Sequence, residues 1–287
     1  MERAKGILYA ALSSSTFGLA PLFTLLLLGL GYSSFEVLSY RWGVASLFLG
    51  ALALLAGRSF RLSWPELRTV FFLSLFRAAT SLSLVIAYQH IASGVASTIH
   101  FMYPLAVALA MMCFFREKGS VWVFAAIGMS IVGAVLLSLG NVDFTRGNTT
   151  LGMVSAAVSV VSYGGYIVGV RKSRAVGIDS TVLTCYVMGL GALYFIAGGL
   201  VTGGIRIETD GTAWLCILGV ALPATAVSNM TLVQAIKRIG PTLTSVFGAL
   251  EPLTAVVIGV AVFGEPFTVQ GLSLIHISEP TRLLSIS

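Results

Sequence analysis

Apolar residues run through the chain in long blocks, and the charged ones gather in short breaks between them. No Asp, Glu, Lys or Arg interrupts 6–35, 78–115, 119–142, 147–170, 180–205 or 211–236. Each block exceeds the ~20 residues that carry a helix across ~30 Å of hydrocarbon at ~1.5 Å per residue. Divided at turn residues and charges, the pattern predicts helices over 5–29, 34–57, 67–89, 93–115, 119–139, 149–171, 179–203, 211–236 and 241–264, with a tenth starting near Thr268. The block 78–115 has to break at Gln89-His90-Ile91-Ala92-Ser93-Gly94, because one helix of its 38 residues would be about 57 Å long, nearly twice the membrane. The expected fold class is an all-α polytopic membrane protein.

Composition agrees. Of 287 residues 57% are apolar, and the 17 Lys+Arg and 11 Asp+Glu amount to 10%, where a soluble domain carries about 25%. That excludes a soluble enzyme. A net charge of +6 would in a soluble chain raise the question of a nucleic-acid partner, but here the cations sit in short loops. With a cytoplasmic N-terminus, twelve Lys and Arg residues, from Arg3 and Lys5 to Lys237 and Arg238, fall inside and only Arg146 and Arg206 outside. The expected location is a bacterial-type inner membrane. The apolar run after Lys5 is far longer than the ~7–15 residues of a signal-peptide core, so it is read as a retained first span. Cys113, Cys185 and Cys216, all in apolar segments, give neither a disulfide framework nor a metal-ligand spacing.

An internal repeat changes the picture further. Gly6-Ile7-Leu8-Tyr9-Ala10-Ala11 with Thr16-Phe17-Gly18 returns as Gly152-Met153-Val154-Ser155-Ala156-Ala157 with Ser162-Tyr163-Gly164, a constant shift of 146. Ser97, Pro104 and Glu117 return as Ser245, Pro252 and Glu265, a shift of 148. Five predicted helices separate the copies, so the second enters the membrane from the opposite side. Inverted repeats of this kind accompany alternating access around a midplane site.

The five-plus-five plan, the Pro104-Leu105 and Pro252-Leu253 pairs, Glu117 and Gly264-Glu265 at helix ends, and the small-residue helix starts Ala92-Ser93-Gly94 and Gly240-Pro241-Thr242 resemble the EamA branch of the drug/metabolite transporter superfamily. The resemblance implies a ten-helix inverted-repeat bundle around a central cavity, with 5–140 and 148–271 as the two repeats. It also implies export or exchange of small metabolites such as amino acids. The tail departs from it. Residues 272–287, including His276, Glu279, Pro280 and Arg282, would be costly in mid-bilayer and resemble translated sequencing-adapter read-through. They are read as a non-native tail, with the last helix truncated or replaced, against the alternative of a short interfacial segment.

Ionisable residues inside the bilayer are expensive and therefore candidates for function. Counting along the predicted helices places Arg77 and Glu251 about 15 Å from the inner face, where they could pair across the repeats, and Arg41 and His100 about 10 Å below the outer face. With Trp42, Phe101, Tyr103, Tyr163, Tyr166 and Asn229 they form the expected substrate site, in which an arginine fork takes a carboxylate and rings hold an amphipathic solute. The competing reading is a static Arg77/Glu251 pair with Arg41 snorkelling outward. Glu251 is also the candidate proton carrier, since a carboxylate in hydrocarbon is costly as an anion. Pro21, Pro104, Pro223 and Pro252 fall inside predicted spans, where each removes a backbone donor and is expected to kink or gate.

The function expected is a secondary transporter of small zwitterions or anions, not an enzyme, without cofactor or metal. Its partners would be substrate, the lipid bilayer, a proton and a second copy of the chain, and no nucleic acid. The alternatives are a non-transporting receptor or assembly subunit, or an intramembrane hydrolase using Ser97 and His100, which share a helix face.

Overall fold

The computed structural model describes residues 2–117, 124–125, 127–128, 147–251 and 254. The predicted helix 119–139, the second half of 241–264 and the tail 272–287 lie essentially outside these residues. Among the described residues the chain is all-helical between turns, and seven segments are long and apolar enough to span a membrane: Glu2–Gly29, Ser34–Leu55, Trp64–His90, Val95–Phe115, Thr149–Lys172, Ser180–Thr202 and Gly211–Ile239. Large apolar side chains cover the outside, with Leu47, Leu55, Phe114, Val161 and Val201 all more than two-thirds exposed. Water would not tolerate that surface and lipid would, so the chain is a multi-pass membrane protein.

The helices start where local chemistry starts them. We number them α1 (Glu2–Phe17), α2 (Ala20–Gly29), α3 (Ser34–Leu55), α4 (Trp64–His90), α5 (Ser93–His100), α6 (Tyr103–Phe115), α7 (Thr149–Lys172), α8 (Ser180–Thr202), α9 (Gly211–Ala221), α10 (Ser228–Ile239) and α11 (Pro241–Val246). A capping box opens α3, with Ser33 and Glu36 each satisfying the other's backbone N–H. Asn148, Asp179 and Asp210 side chains accept from the first-turn amides of α7, α8 and α9. Ser63 and Glu66, with Pro65 in the first turn, start α4 three residues before the predicted 67. That signal was present in the sequence.

Two predicted spans are not continuous. The first breaks between α1 and α2 at Gly18-Leu19, and the fourth between α5 and α6 at Phe101-Met102. Pro21 and Pro104 sit in the first turn of the restarted helix, where a missing N–H costs nothing, rather than kinking a helix interior. Pro223 sits in the first turn of a π-helical stretch, Leu222–Val227, joining α9 to α10. Pro252 lies outside the described residues.

Packing brings distant parts of the chain together: α3 lies along α8, α4 along α7, and α1 along α10. On α7, Gly165 and Gly169, four residues apart, meet Phe76 and Leu73 of α4. Charges close the two ends. Arg206 pairs with Glu36 at 3.1 Å at one end, and Arg58 with Asp179 at 3.7 Å and Arg238 with Glu2 at 3.2 Å at the other.

Candidate functional site

Arg77, 1% exposed in mid-α4, is the least exposed Lys or Arg among the described residues. Its Nε donates to Asn229 Oδ1 at 2.8 Å and its Nη1 to Ser81 Oγ at 3.2 Å. Four rings surround the guanidinium: Tyr163 at 5.1 Å, Phe17 at 5.6 Å, Trp42 at 5.9 Å and Tyr166 at 6.0 Å from its carbon to their centroids. Ring faces stabilise a desolvated cation, but they leave its net charge in place. No carboxylate of the described residues lies within the 4.0 Å of an ion pair.

Arg41 also lies over Phe17, its guanidinium carbon 5.8 Å from that ring. It is buried rather than snorkelling, and its Nε donates to Thr225 Oγ1 at 2.6 Å. Thr225 lies in the π-helical stretch, and its hydroxyl donates back to Val220 O, five residues earlier. Asn229 Nδ2 in turn donates to Thr225 O, so one widened helical turn seats both arginines. Arg41 Nη2 and Trp42 Nε1 are buried donors with no partner. Unsatisfied buried donors of this kind are uncommon, and here they are adjacent in sequence and edge the same aromatic cluster.

The Trp42 ring is set by a missing side chain opposite. A Cβ on Gly191 of α8 would land on its six-membered ring, which packs edge-on against Phe195 at 5.1 Å. Gly191→Ala is therefore expected to cost about 1–3 kcal/mol by overpacking and to lower the thermal unfolding midpoint in detergent. An unchanged midpoint would mean that this contact is loose.

Glu251 is 4% exposed and accepts a hydrogen bond from the hydroxyl of Tyr103 at 3.2 Å, and the Tyr103 ring packs edge-on against Tyr163 at 4.6 Å. His100 packs on Tyr163 and Tyr103, each at 5.4 Å. Its tautomer follows from its neighbour. Ser159 Oγ donates to Ala156 O at 2.6 Å, which uses its single proton, so at 2.8 Å His100 Nδ1 has to be the donor to Ser159. Nε2 then keeps its lone pair, buried and without a partner. Nitrogen-15 spectra of histidine-labelled protein are expected to show His100 with its proton on Nδ1, and a Ser159→Ala variant to lose that preference. A proton found on Nε2 contradicts the assignment.

The structure thus gathers Arg41, Trp42, Arg77, His100, Tyr103, Tyr163, Tyr166, Asn229 and Glu251 into one buried cluster. Phe101 is half-buried at the α5–α6 break, its ring 6.3 Å from that of His100. Two expectations change. Arg77 and Glu251 do not pair within 4.0 Å, because Asn229 and Ser81 hold the guanidinium and Tyr103 holds the carboxyl. Ser97 faces Tyr88 at 3.3 Å while His100 faces Ser159, so they are not a nucleophile and its base. Phe17, Ser81, Ser159 and Thr225 were not singled out from sequence. Phe17 was within reach, since the shift of 146 carries it onto Tyr163.

This arrangement of buried cations and rings inside a membrane bundle can be set beside known proteins. The EamA-like transporter family matches residues 4–139 and again 150–278. The chain belongs to the EamA-like transporter family. The second match runs past Gly271, where the sequence reading ended the repeat. Among curated relatives, an "Uncharacterized transporter YojE" of Bacillus subtilis is 26% identical over 283 residues, covering 93% of this chain and 88% of its own. An "Uncharacterized transporter" of Archaeoglobus fulgidus is 25% identical over 226 residues, covering 79% and 78%. A protein of known crystal structure superposes with a TM-score of 0.75 at 20% identity, over 99% of this chain and 97% of the other, which speaks for the fold. This EamA-like protein is thus a membrane transporter of the drug/metabolite transporter superfamily.

Proposed function

We propose that this EamA-like transporter is a secondary carrier that exports or exchanges small carboxylate-bearing metabolites across the inner membrane by alternating access. The observation that carries the reading is the Arg41/Arg77 pair: two buried guanidiniums, both against Phe17, with no carboxylate within 4.0 Å of either among the described residues. Burying such charges without a counterion is costly, and a substrate carboxylate supplies one. Arg41 Nη2 and Trp42 Nε1 offer it free donors, while His100 Nε2 and Glu251 offer acceptors to an ammonium or hydroxyl at the substrate's other end. Free donors and acceptors within one buried cluster suit a small zwitterion.

Alternating access draws support from contacts between repeat-related residues. Tyr103 and Glu251, 148 apart, hydrogen-bond to each other, and Phe17 and Tyr163, 146 apart, stack with centroids at 6.4 Å. Residues exchanged by a two-fold axis can touch only beside that axis. Likewise the α1–α10 and α4–α7 pairings exchange under the repeat, and α3–α8 pairs two matching helices. The reading therefore puts the substrate on the axis about which inverted halves 5–140 and 148–271 rock, with a cytoplasmic N-terminus. The test is counterflow into proteoliposomes preloaded with a panel of unlabelled amino acids, organic acids, amines and uncharged solutes, using labelled alanine, glutamate, lactate, choline and uracil as tracers. Exchange of at least one carboxylate, competed only by carboxylates, supports the proposal. Transport confined to cations or uncharged solutes overturns it.

A further inference from the structure

At one end of α4, far from the arginine cluster, Trp64, Leu67, Arg68, Phe71 and Phe72 line a groove of about 550 Å³ open to the outside. Residues 56–63 link the spans Ser34–Leu55 and Trp64–His90, so this end of α4 lies at the boundary between lipid and water. Arg68 is four residues in, about 6 Å along the axis, at the depth of headgroup phosphates. Its guanidinium lies 5.6 Å above the Trp64 ring, and no carboxylate of the described residues pairs with it. The nearby Glu66 carboxyl is occupied by Ser63, from which it accepts at 2.7 and 2.6 Å.

Below Arg68 the surface is apolar and faces outward. Trp64 and Phe72 are 66% and 60% exposed, and Phe71, Leu75 and Phe76 continue the stripe with more than 40% of their surface free. From Arg68 to Phe76 it runs about 12 Å along the axis, most of the ~15 Å half-thickness of the hydrocarbon. Phe71 is held edge-on by Tyr194 at 6.3 Å, and Tyr194 is tied to Ser74 at 2.9 Å, which keeps the groove wall in place. A free cation at headgroup depth above an aromatic channel parallel to the acyl chains matches one kind of molecule.

We propose that this groove is a binding site for a phospholipid of net negative charge. Its phosphate sits on Arg68, which Trp64 orients, and one acyl chain lies along Phe71, Phe72 and Phe76. The preference for an anionic over a zwitterionic headgroup rests on Arg68, which has no carboxylate partner among the described residues, whereas Arg58 in the adjoining loop is paired with Asp179. The occupant is neither the transported substrate nor a second copy of the chain.

The full chain reconstituted in mixed bilayers tests this through Trp64 emission, isolated by subtracting a Trp64→Phe variant. Phosphatidylglycerol brominated on its acyl chains is expected to quench Trp64 with a relative association constant about fivefold that of brominated phosphatidylcholine, the factor one surface arginine supplies. R68Q is expected to bring the ratio close to one. Equal quenching by the two lipids in the unaltered chain overturns the proposal, as does a preference that survives R68Q. Quenching by neither, with a dimer on cross-linking, overturns it in favour of a second copy covering the groove.

Discussion

Arg77→Lys is expected to lower carboxylate counterflow about thirtyfold while the protein still folds. Lysine keeps the positive charge at the centre of the bundle, so a site that needed only charge would hardly notice. What it loses is the planar fork: Nε on Asn229, Nη1 on Ser81, and a flat face among Tyr163, Phe17, Trp42 and Tyr166. A lysine ammonium rotates and hydrates, and it leaves Asn229 Oδ1 without its charged donor. Loss of one charge-assisted hydrogen bond with its geometry amounts to about 2 kcal/mol, which is the thirtyfold. Initial rates of counterflow, together with a melting curve of the purified variant, check the prediction. A rate within twofold of the unaltered protein would mean that Arg77 serves the fold alone.

Glu251→Gln is expected to separate two activities. The amide has nearly the shape of the carboxyl and still accepts from the Tyr103 hydroxyl 3.2 Å away. It cannot take up or release a proton. If Glu251 carries the proton that drives export, the variant keeps exchange of substrate for substrate and loses at least tenfold of the accumulation driven by a pH gradient. Accumulation that still follows an imposed pH gradient in the variant would remove Glu251 from coupling and leave it a substrate ligand.

How far the sequence reached depended on which force set each feature. Transfer of side chains into hydrocarbon dominates the spans, and it is additive along the chain. Charge-free blocks therefore predicted 149–171 and 179–203 within one residue of the observed Thr149–Lys172 and Ser180–Thr202. The breaks at Gly18-Leu19 and Phe101-Met102 and the π-helical stretch Leu222–Val227 were not located. Proline marked all three neighbourhoods, but whether it kinks, restarts or widens a helix depends on the packing across from it. The start of α4 was legible in Ser63-Trp64-Pro65-Glu66 and was overlooked because the charges there pulled the boundary inward.

The same division holds for the cluster. Arg41, Arg77 and Glu251 stood out because polar groups in lipid are rare, and rings near them were reasonable company. Partner choice was not legible. Opposite charges suggested an Arg77/Glu251 pair, yet the repeat sets Glu251 against its counterpart Tyr103, and Arg77 is held by Asn229, which is not its repeat counterpart. Ser159 and Thr225 act on His100 and Arg41 through single hydroxyls, and a chain with many Ser and Thr residues gives no means of picking them out. The repeat itself was the unused guide, since mapping Tyr163 back by 146 residues points to Phe17, the ring shared by both arginines.

Ser81, 5% exposed and bonded to Arg77, is the place to ask whether the arginine cluster is reached from each side of the membrane in turn. A Ser81→Cys chain with Cys113, Cys185 and Cys216 replaced by serine, reconstituted in one orientation, is treated with a membrane-impermeant thiol reagent on one side or the other. Alternating access requires labelling from both sides, with a saturating transported carboxylate slowing it. Labelling from one side alone, or from neither, would mean that the cluster is a fixed core and that no carrier cycle passes through it.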